Sequence, residues 1–323
     1  MLYILGQNAY FFNSKAYILK IYILAVKIIY NNMEVLIMRK KKETLVAIVY
    51  DFDKTLCPYD MQNYGFIPAV GMTPQQFWGT TTQFSDENGV EKILSYMYVM
   101  VREASRAGIK LSKGFLKDLG KDIKFFDGVS TWFDRINRYA ASKGITIEHY
   151  VLSSGTKEII EGCAIADNFK ALFGCEFHYD DETGEPVWPK FAINYTQKTQ
   201  YLFRIIKGAL DQQDDAVVNK KKLDKRIRFE NMIYIGDGMT DIPCMTLVKE
   251  KGGHSIAVYP KGKRDKVIEL FDDGRVNMIC HADYRAGKPI EKHIKLVIDK
   301  IKACEDIDDL EIRTSSADDK IDE

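Results

Sequence analysis

The sequence carries no surplus of either charge: 46 lysines and arginines are matched by 46 aspartates and glutamates. A chain without a positive excess lacks the field that draws a protein onto a polyphosphate backbone, so nucleic acid is set aside as a partner. Closely paired cysteines are missing too. Cys57, Cys163, Cys175, Cys244, Cys280 and Cys304 form no C-x-x-C pair and no zinc-like spacing. They read as reduced core thiols, which points to a cytoplasmic rather than a secreted protein. An uninterrupted apolar run of the ~20 residues that a bilayer requires is also absent. The most apolar N-terminal stretch, residues 16–30, is broken by Lys20 and Lys27, and a lysine near the bilayer centre costs about 2.5–3.5 kcal/mol. No small-residue cleavage site follows, as a signal peptide would need, so neither a stable membrane span nor a leader is expected.

What is present is ordinary globular material. Hydrophobic residues make up 46% and charged residues 28% of 323, enough for a sizeable core and about two domains of roughly 150 residues. Residues 1–38 stand apart, crowded with Tyr, Ile, Asn and Lys. They are expected to be an N-terminal extension, either disordered or upstream of a true start at Met33 or Met38. An interfacial amphipathic helix is the remaining reading. Residues 305–323 are acidic and poor in large apolar side chains, and are expected to be a disordered tail.

Leu45–Tyr50 is a continuous apolar, β-branched run, the pattern of a strand buried on both faces of a parallel sheet. Similar runs end at Leu152, Ile235, Val258 and Cys280. Between them, Val129, Trp132, Phe133, Ile136 and Tyr139 follow the rhythm of one helix face, with Gly144 placed to end it. Strands alternating with helices predict an α/β fold with a doubly wound parallel sheet. Residues 57–126 are too long for a simple crossover and carry a helix start at Thr73-Pro74-Gln75-Gln76, so a helical domain inserted after the first strand is expected. The core is then 39–56 together with 127–304.

Three strand ends carry chemistry. Asp51 and Asp53 follow the first strand, and side chains two apart in an extended segment face the same way. Two such carboxylates repel unless a cation or a shared proton relieves them, and a divalent metal is the simple solution. At the end of another strand, Ile235-Gly236-Asp237-Gly238-Met239-Thr240-Asp241 brings further acids, with Asp237 able to complete the metal site and Asp241 one helical turn on. Ser153-Ser154-Gly155-Thr156 ends a third strand in hydroxyls and backbone N–H groups suited to phosphate oxygens. Taken singly, each segment also fits a plain turn or a helix cap.

Taken jointly, they resemble the haloacid dehalogenase-like superfamily. Asp51-Phe52-Asp53-Lys54-Thr55 is similar to its first motif, Ser154 before Gly155 to its second, and Gly236–Asp241 to its acidic fourth. The family's remaining motif is a lysine between the second and fourth. Lys198 is assigned to it because it opens the helical stretch Thr199–Ile206, with Lys190 as the fallback. The resemblance implies a Rossmann-like core with an inserted cap. It further implies that Asp51 is the nucleophile, that Asp53 is the acid and base, and that Mg2+ is held by Asp51, Asp53 (through its backbone carbonyl) and Asp237. Thr55, Ser154, Gly155 and Lys198 would bind the phosphoryl group, with Ser153 as the alternative to Ser154; Thr55 would also fix the loop and Asp241 would stand behind the metal. The expected activity is hydrolysis of a small-molecule phosphate ester, since dehalogenases of the group lack an acid where Asp53 stands. Transfer to an alcohol acceptor and a non-catalytic phosphate-binding module are the alternatives. The family's phosphoserine phosphatases carry Ser-Gly-Gly and a nearby glutamate where this chain has Ser154-Gly155-Thr156 and Asp60, so amino-acid specificity is not carried over. Arg102 and Arg106, four apart on one helix face, are candidates for a second anionic group.

Overall fold

Apolar runs buried on both faces must be covered by helices on both sides, and the sheet shows this arrangement. The computed structural model describes residues 44–220 and 225–318 together with positions 22 and 27. Apart from those two positions, the expected 1–38 extension lies outside the described residues, as do 319–323. Seven strands form one sheet: β1 (Thr44–Tyr50), β2 (Ile145–Thr156), β3 (Ala171–Tyr179), β4 (Pro186–Phe191), β5 (Met232–Gly236), β6 (His254–Tyr259) and β7 (Met278–His281). Their order is β4-β3-β2-β1-β5-β6-β7. Pairing is parallel for β1 with β5, β2 with β3, β5 with β6 and β6 with β7.

The sheet departs from a purely parallel one at its edge, where β4 runs antiparallel to β3. Its sequence, PVWPKF, holds two prolines, which cannot donate to a ladder and are tolerated on an edge strand. The central strands are the reverse case, since all five residues of β5 and the last five of β1 are buried. Strand order changes direction at β1, whose neighbours β2 and β5 are the strands carrying the two other motifs. In an open α/β sheet a ligand settles in the crevice beyond the strand ends at such a reversal.

The labelled helices are α1 (Pro74–Asn88), α2 (Lys92–Arg106), α3 (Lys113–Leu119), α4 (Val129–Ala141), α5 (Lys157–Glu161), α6 (Tyr195–Lys207), α7 (Ile242–Glu250), α8 (Asp265–Asp272) and α9 (Pro289–Asp318). Residues 57–126 are thus mainly helical. Thr73 accepts from the Gln76 N–H and Gln76 answers the Thr73 N–H at 2.8 Å, closing the capping box at the head of α1. One expectation fails at the other end of the chain. Residues 305–318, read as a disordered tail, continue α9, because pairs such as Lys302–Asp306 at 2.5 Å and Arg228–Asp308 at 3.4 Å support a helix that composition alone reads as disorder.

Behind β1 the core hides a polar chain. The Trp132 indole donates to the Tyr50 hydroxyl at 2.7 Å, which meets His149 Nδ1 at 3.0 Å, while His149 Nε2 meets the Asn137 carbonyl oxygen at 2.9 Å. This places the ring proton on Nε2 and leaves Nδ1 as acceptor. Burial pushes His149 down from 6.5 to about 3. Between those values the unfolded chain takes a proton that the fold refuses, so stability is lost as pH falls below the unfolded value. Chemical denaturation at pH 7 and pH 5 is expected to show about 2 kcal/mol of loss traceable to this ring. The His149→Gln variant should lack that component, and an unchanged slope would refute the assignment.

Candidate active site

The turn after β1 fixes the first motif. The Asp51 N–H donates to the Ile235 carbonyl at 2.8 Å, tying the end of β1 to β5. Lys54 then takes φ of 59°, a left-handed conformation uncommon for a residue with a side chain. The reversal lets the Leu56 N–H return to the Phe52 carbonyl at 2.9 Å. Thr55 Oγ1 reaches Asp51 Oδ2 at 3.4 Å, and the buried Tyr284 hydroxyl holds the Thr55 carbonyl at 2.9 Å. Asp53 Oδ1 accepts from the Met61 N–H at 2.8 Å. Lys54 Nζ pairs with Asp60 at 2.6 Å, so Asp60 is engaged by a neighbour's ammonium.

Lys198 is delivered by a helix start. Asn194 caps α6 and forms a capping box with Gln197. The cap sets Lys198 in the first turn, fully buried, with Nζ 2.8 Å from Asp51 Oδ1 and 2.7 Å from Asp241 Oδ1. Lys190 lies elsewhere, on β4, paired with Glu176 at 2.7 Å. Two partners complete the Asp241 carboxylate: the buried Tyr234 hydroxyl at 2.7 Å on Oδ1 and the Asp237 N–H at 3.3 Å on Oδ2. Gly236 is required by this packing, because a Cβ there would sit 2.5 Å from Asp241 Oδ2.

At the end of β2 the two serines separate. Ser153 Oγ accepts from the Gly155 N–H at 2.9 Å, whereas buried Ser154 Oγ has no partner among the described residues. An unmet buried hydroxyl costs about 1–3 kcal/mol, so it marks a place where an external oxygen fits. Gly155 abuts the acid: a Cβ there would lie 2.1 Å from the Met61 methyl and 3.2 Å from Asp53 Oδ2. The three strand ends therefore converge. Arg102 and Arg106 do not offer a free pair, since both bind Glu103, at 2.7 and 3.0 Å, and Arg102 also lies over the Phe84 and Tyr98 rings.

Negative charge dominates the centre. Burial, reinforced by Asp241, pushes the Asp51 carboxyl up to about 6 despite Lys198. Asp53 is raised well above the usual carboxylate range by burial and by Asp60 and Asp51, and Asp237 by burial and by Asp51 and Asp241. For Lys198, burial opposes the charge, but Asp241 and Asp51 hold it above its ordinary value. Oxygens of Asp51, Asp237 and Asp241 all lie within 4.8 Å of one another. Hard oxygen donors with too much like charge and a single buried cation are a fit for a divalent ion such as magnesium. The Asp53 carboxylate is not part of this trio; it turns toward Met61.

Sequence reasoning missed Tyr234 and Met61. Tyr234 sits in an apolar run where its hydroxyl gives no periodic signal, and the Met61 contact is made by backbone. Only the Asp241 spacing hinted that a buried donor was needed there.

Comparison with known proteins completes the description. Residues 48–246 match the model of the haloacid dehalogenase-like hydrolases. The chain is 28% identical over 277 residues to an uncharacterised protein of Borreliella burgdorferi, covering 76% of this chain and 94% of that one. Among solved structures, a HAD family hydrolase from Salmonella enterica serovar Typhi is 18% identical with a TM-score of 0.49, over 72% of this chain and 66% of that one. A substrate-bound phosphoserine phosphatase is 16% identical with a TM-score of 0.47, over 75% and 94% respectively.

Proposed function

Because the chain belongs to the haloacid dehalogenase-like hydrolases, we propose that it is a magnesium-dependent phosphatase that hydrolyses a small-molecule phosphomonoester through an aspartyl-phosphate at Asp51. The observation that carries this reading is the setting of Asp51: a buried carboxylate with Lys198 at 2.8 Å, beside a second acid, Asp53, whose carboxyl is pushed well above the usual carboxylate range by burial and by Asp60 and Asp51.

Asp51 Oδ2, only loosely held by Thr55, attacks the phosphorus as the bond to the leaving alcohol breaks. The alcohol oxygen takes the Asp53 proton. Water then gives a proton to Asp53 and attacks the phosphorus, breaking the bond to Asp51 and releasing inorganic phosphate. Lys198 and Ser154 Oγ donate to the phosphoryl oxygens, where charge spreads in a loose transition state. Magnesium, bound by the Asp51 and Asp237 carboxylates and the Asp53 carbonyl, would supply the positive charge that lets a carboxylate approach a phosphate. Asp241 acts through Lys198 and the turn before it. We assign residues 57–126 the role of a cap over a core of 39–56 and 127–304, since Met61 reaches Asp53 from that segment. The six unpaired thiols favour a reducing, cytoplasmic setting.

The test is phosphate release from a broad panel of phosphomonoesters. Chelation with EDTA is expected to lower the rate at least about 100-fold and added magnesium to restore it. Turnover indifferent to chelation would remove the metal from the reading. With an alcohol acceptor present, phosphate should remain the product; a new phosphoester instead would make the protein a transferase.

A further inference from the structure

The end of β2 is roofed by the inserted segment. Tyr96 and Met100, one turn apart on α2, cover it: the Tyr96 hydroxyl donates to the Ser154 carbonyl at 2.8 Å, and Thr156 Oγ1 lies 3.8 Å from the Met100 sulfur. Met61 closes over Gly155 and gives its N–H to Asp53. The next residue, Gln62, is 1% exposed and extends its amide to the same spot, with Nε2 3.5 Å from Thr156 Oγ1. Its carbonyl oxygen, Oε1, is buried and meets no donor among the described residues.

Two orphaned polar atoms therefore stand at this strand end, Ser154 Oγ on the strand itself and Gln62 Oε1 on the side chain whose Nε2 reaches Thr156, and they differ in kind. Ser154 Oγ can donate, as a phosphate oxygen requires, whereas Gln62 Oε1 can only accept. The leaving group must lie against Asp53, because that carboxyl protonates it, and Gln62 follows directly on the residue clamping Asp53. The remaining roof is two thioethers, which accept only weakly, and Tyr96, whose hydroxyl is engaged with the Ser154 carbonyl.

We infer that Gln62 is a specificity residue whose amide oxygen accepts a hydrogen bond from the leaving group, so that the substrate is a phosphomonoester of an alcohol bearing a second donor, a hydroxyl or an amine. The inference rests on the phosphatase reading. A buried acceptor left unmet penalises an ester lacking that donor, which is the strong form of polar discrimination.

Three esters of equal length distinguish the cases: propyl, 3-hydroxypropyl and 3-aminopropyl phosphate, each assayed with magnesium on the full chain. The wild type should prefer at least one donor-bearing ester over propyl phosphate by at least about tenfold in kcat/KM. Gln62→Met, of similar shape, should collapse that ratio, while Gln62→Glu, which keeps an acceptor, should preserve it. Preference for the hydroxyl ester assigns a neutral donor and preference for the amine a cationic one. Equal turnover of all three by the wild type overturns the inference and leaves the phosphatase reading intact. A uniform loss in Gln62→Met with the ratio unchanged also overturns it. No turnover of any ester by the wild type overturns the phosphatase reading, and the inference with it.

Discussion

Asp51→Asn is expected to lower phosphate release by roughly four orders of magnitude or more, because an amide cannot take the phosphoryl group and the residues around it act as a unit. The same substitution should not weaken the fold. Burial and Asp241 already push the Asp51 carboxyl up to about 6, so its charge is held at a cost in the protein without a bound cation. An isosteric neutral group removes that cost, while Lys198 keeps Asp241 at 2.7 Å. Thermal unfolding without magnesium should therefore occur at the same temperature as the wild type or higher. Retained hydrolysis in this variant would refute the nucleophile outright.

Lys198→Met should move stability the other way. Lys198 is fully buried and is the ion-pair partner of both Asp51 and Asp241. Removing one member of a buried ionic group leaves uncompensated charge, at a cost of about 3–5 kcal/mol, which denaturant titration resolves. Activity should fall about 10²–10³-fold, the usual loss when a donor to developing charge is deleted. On the proposed reading magnesium would supply positive charge to the same carboxylates, so adding it should recover part of the lost stability in Lys198→Met. A variant as stable as the wild type without magnesium would mean that the lysine does not hold the two aspartates together. The pair of variants is informative because one electrostatic account demands opposite signs.

The parts of this architecture that were legible share one property: their signal is local. Leu45–Tyr50 announces a doubly buried strand by composition, and Thr73-Pro74-Gln75-Gln76 announces a helix start by spacing. The reason for choosing Lys198 over Lys190 was local too, its place at the head of the helical stretch Thr199–Ile206, and the structure sets it 2.8 Å from Asp51. What stayed hidden depends on partners distant in sequence. β4 gives no strand signal of its own, because its two prolines are excused only by an edge position. Residues 305–318 read as disorder because their composition is acidic, whereas the helix they extend is fixed by 16 residues upstream, Pro289–Cys304. Tyr234 reads as core because nothing near it in sequence needs its hydroxyl until Asp241 folds back against it. Also hidden was the difference between the two serines, Ser153 Oγ accepting from the Gly155 N–H and Ser154 Oγ meeting no partner among the described residues.

The clamp on Asp53 has a consequence for inheritance. Its donor is the Met61 main-chain N–H, at 2.8 Å, and every amino acid except proline carries that group. Side-chain replacement at position 61 can therefore reshape the surface over Gly155 without cutting the tether that orients the acid. An alanine scan would miss the tether altogether, and proline alone would reveal it. A lineage descending from this chain would be free to change what it recognises while Asp53, the proton donor of the proposed mechanism, stays in place.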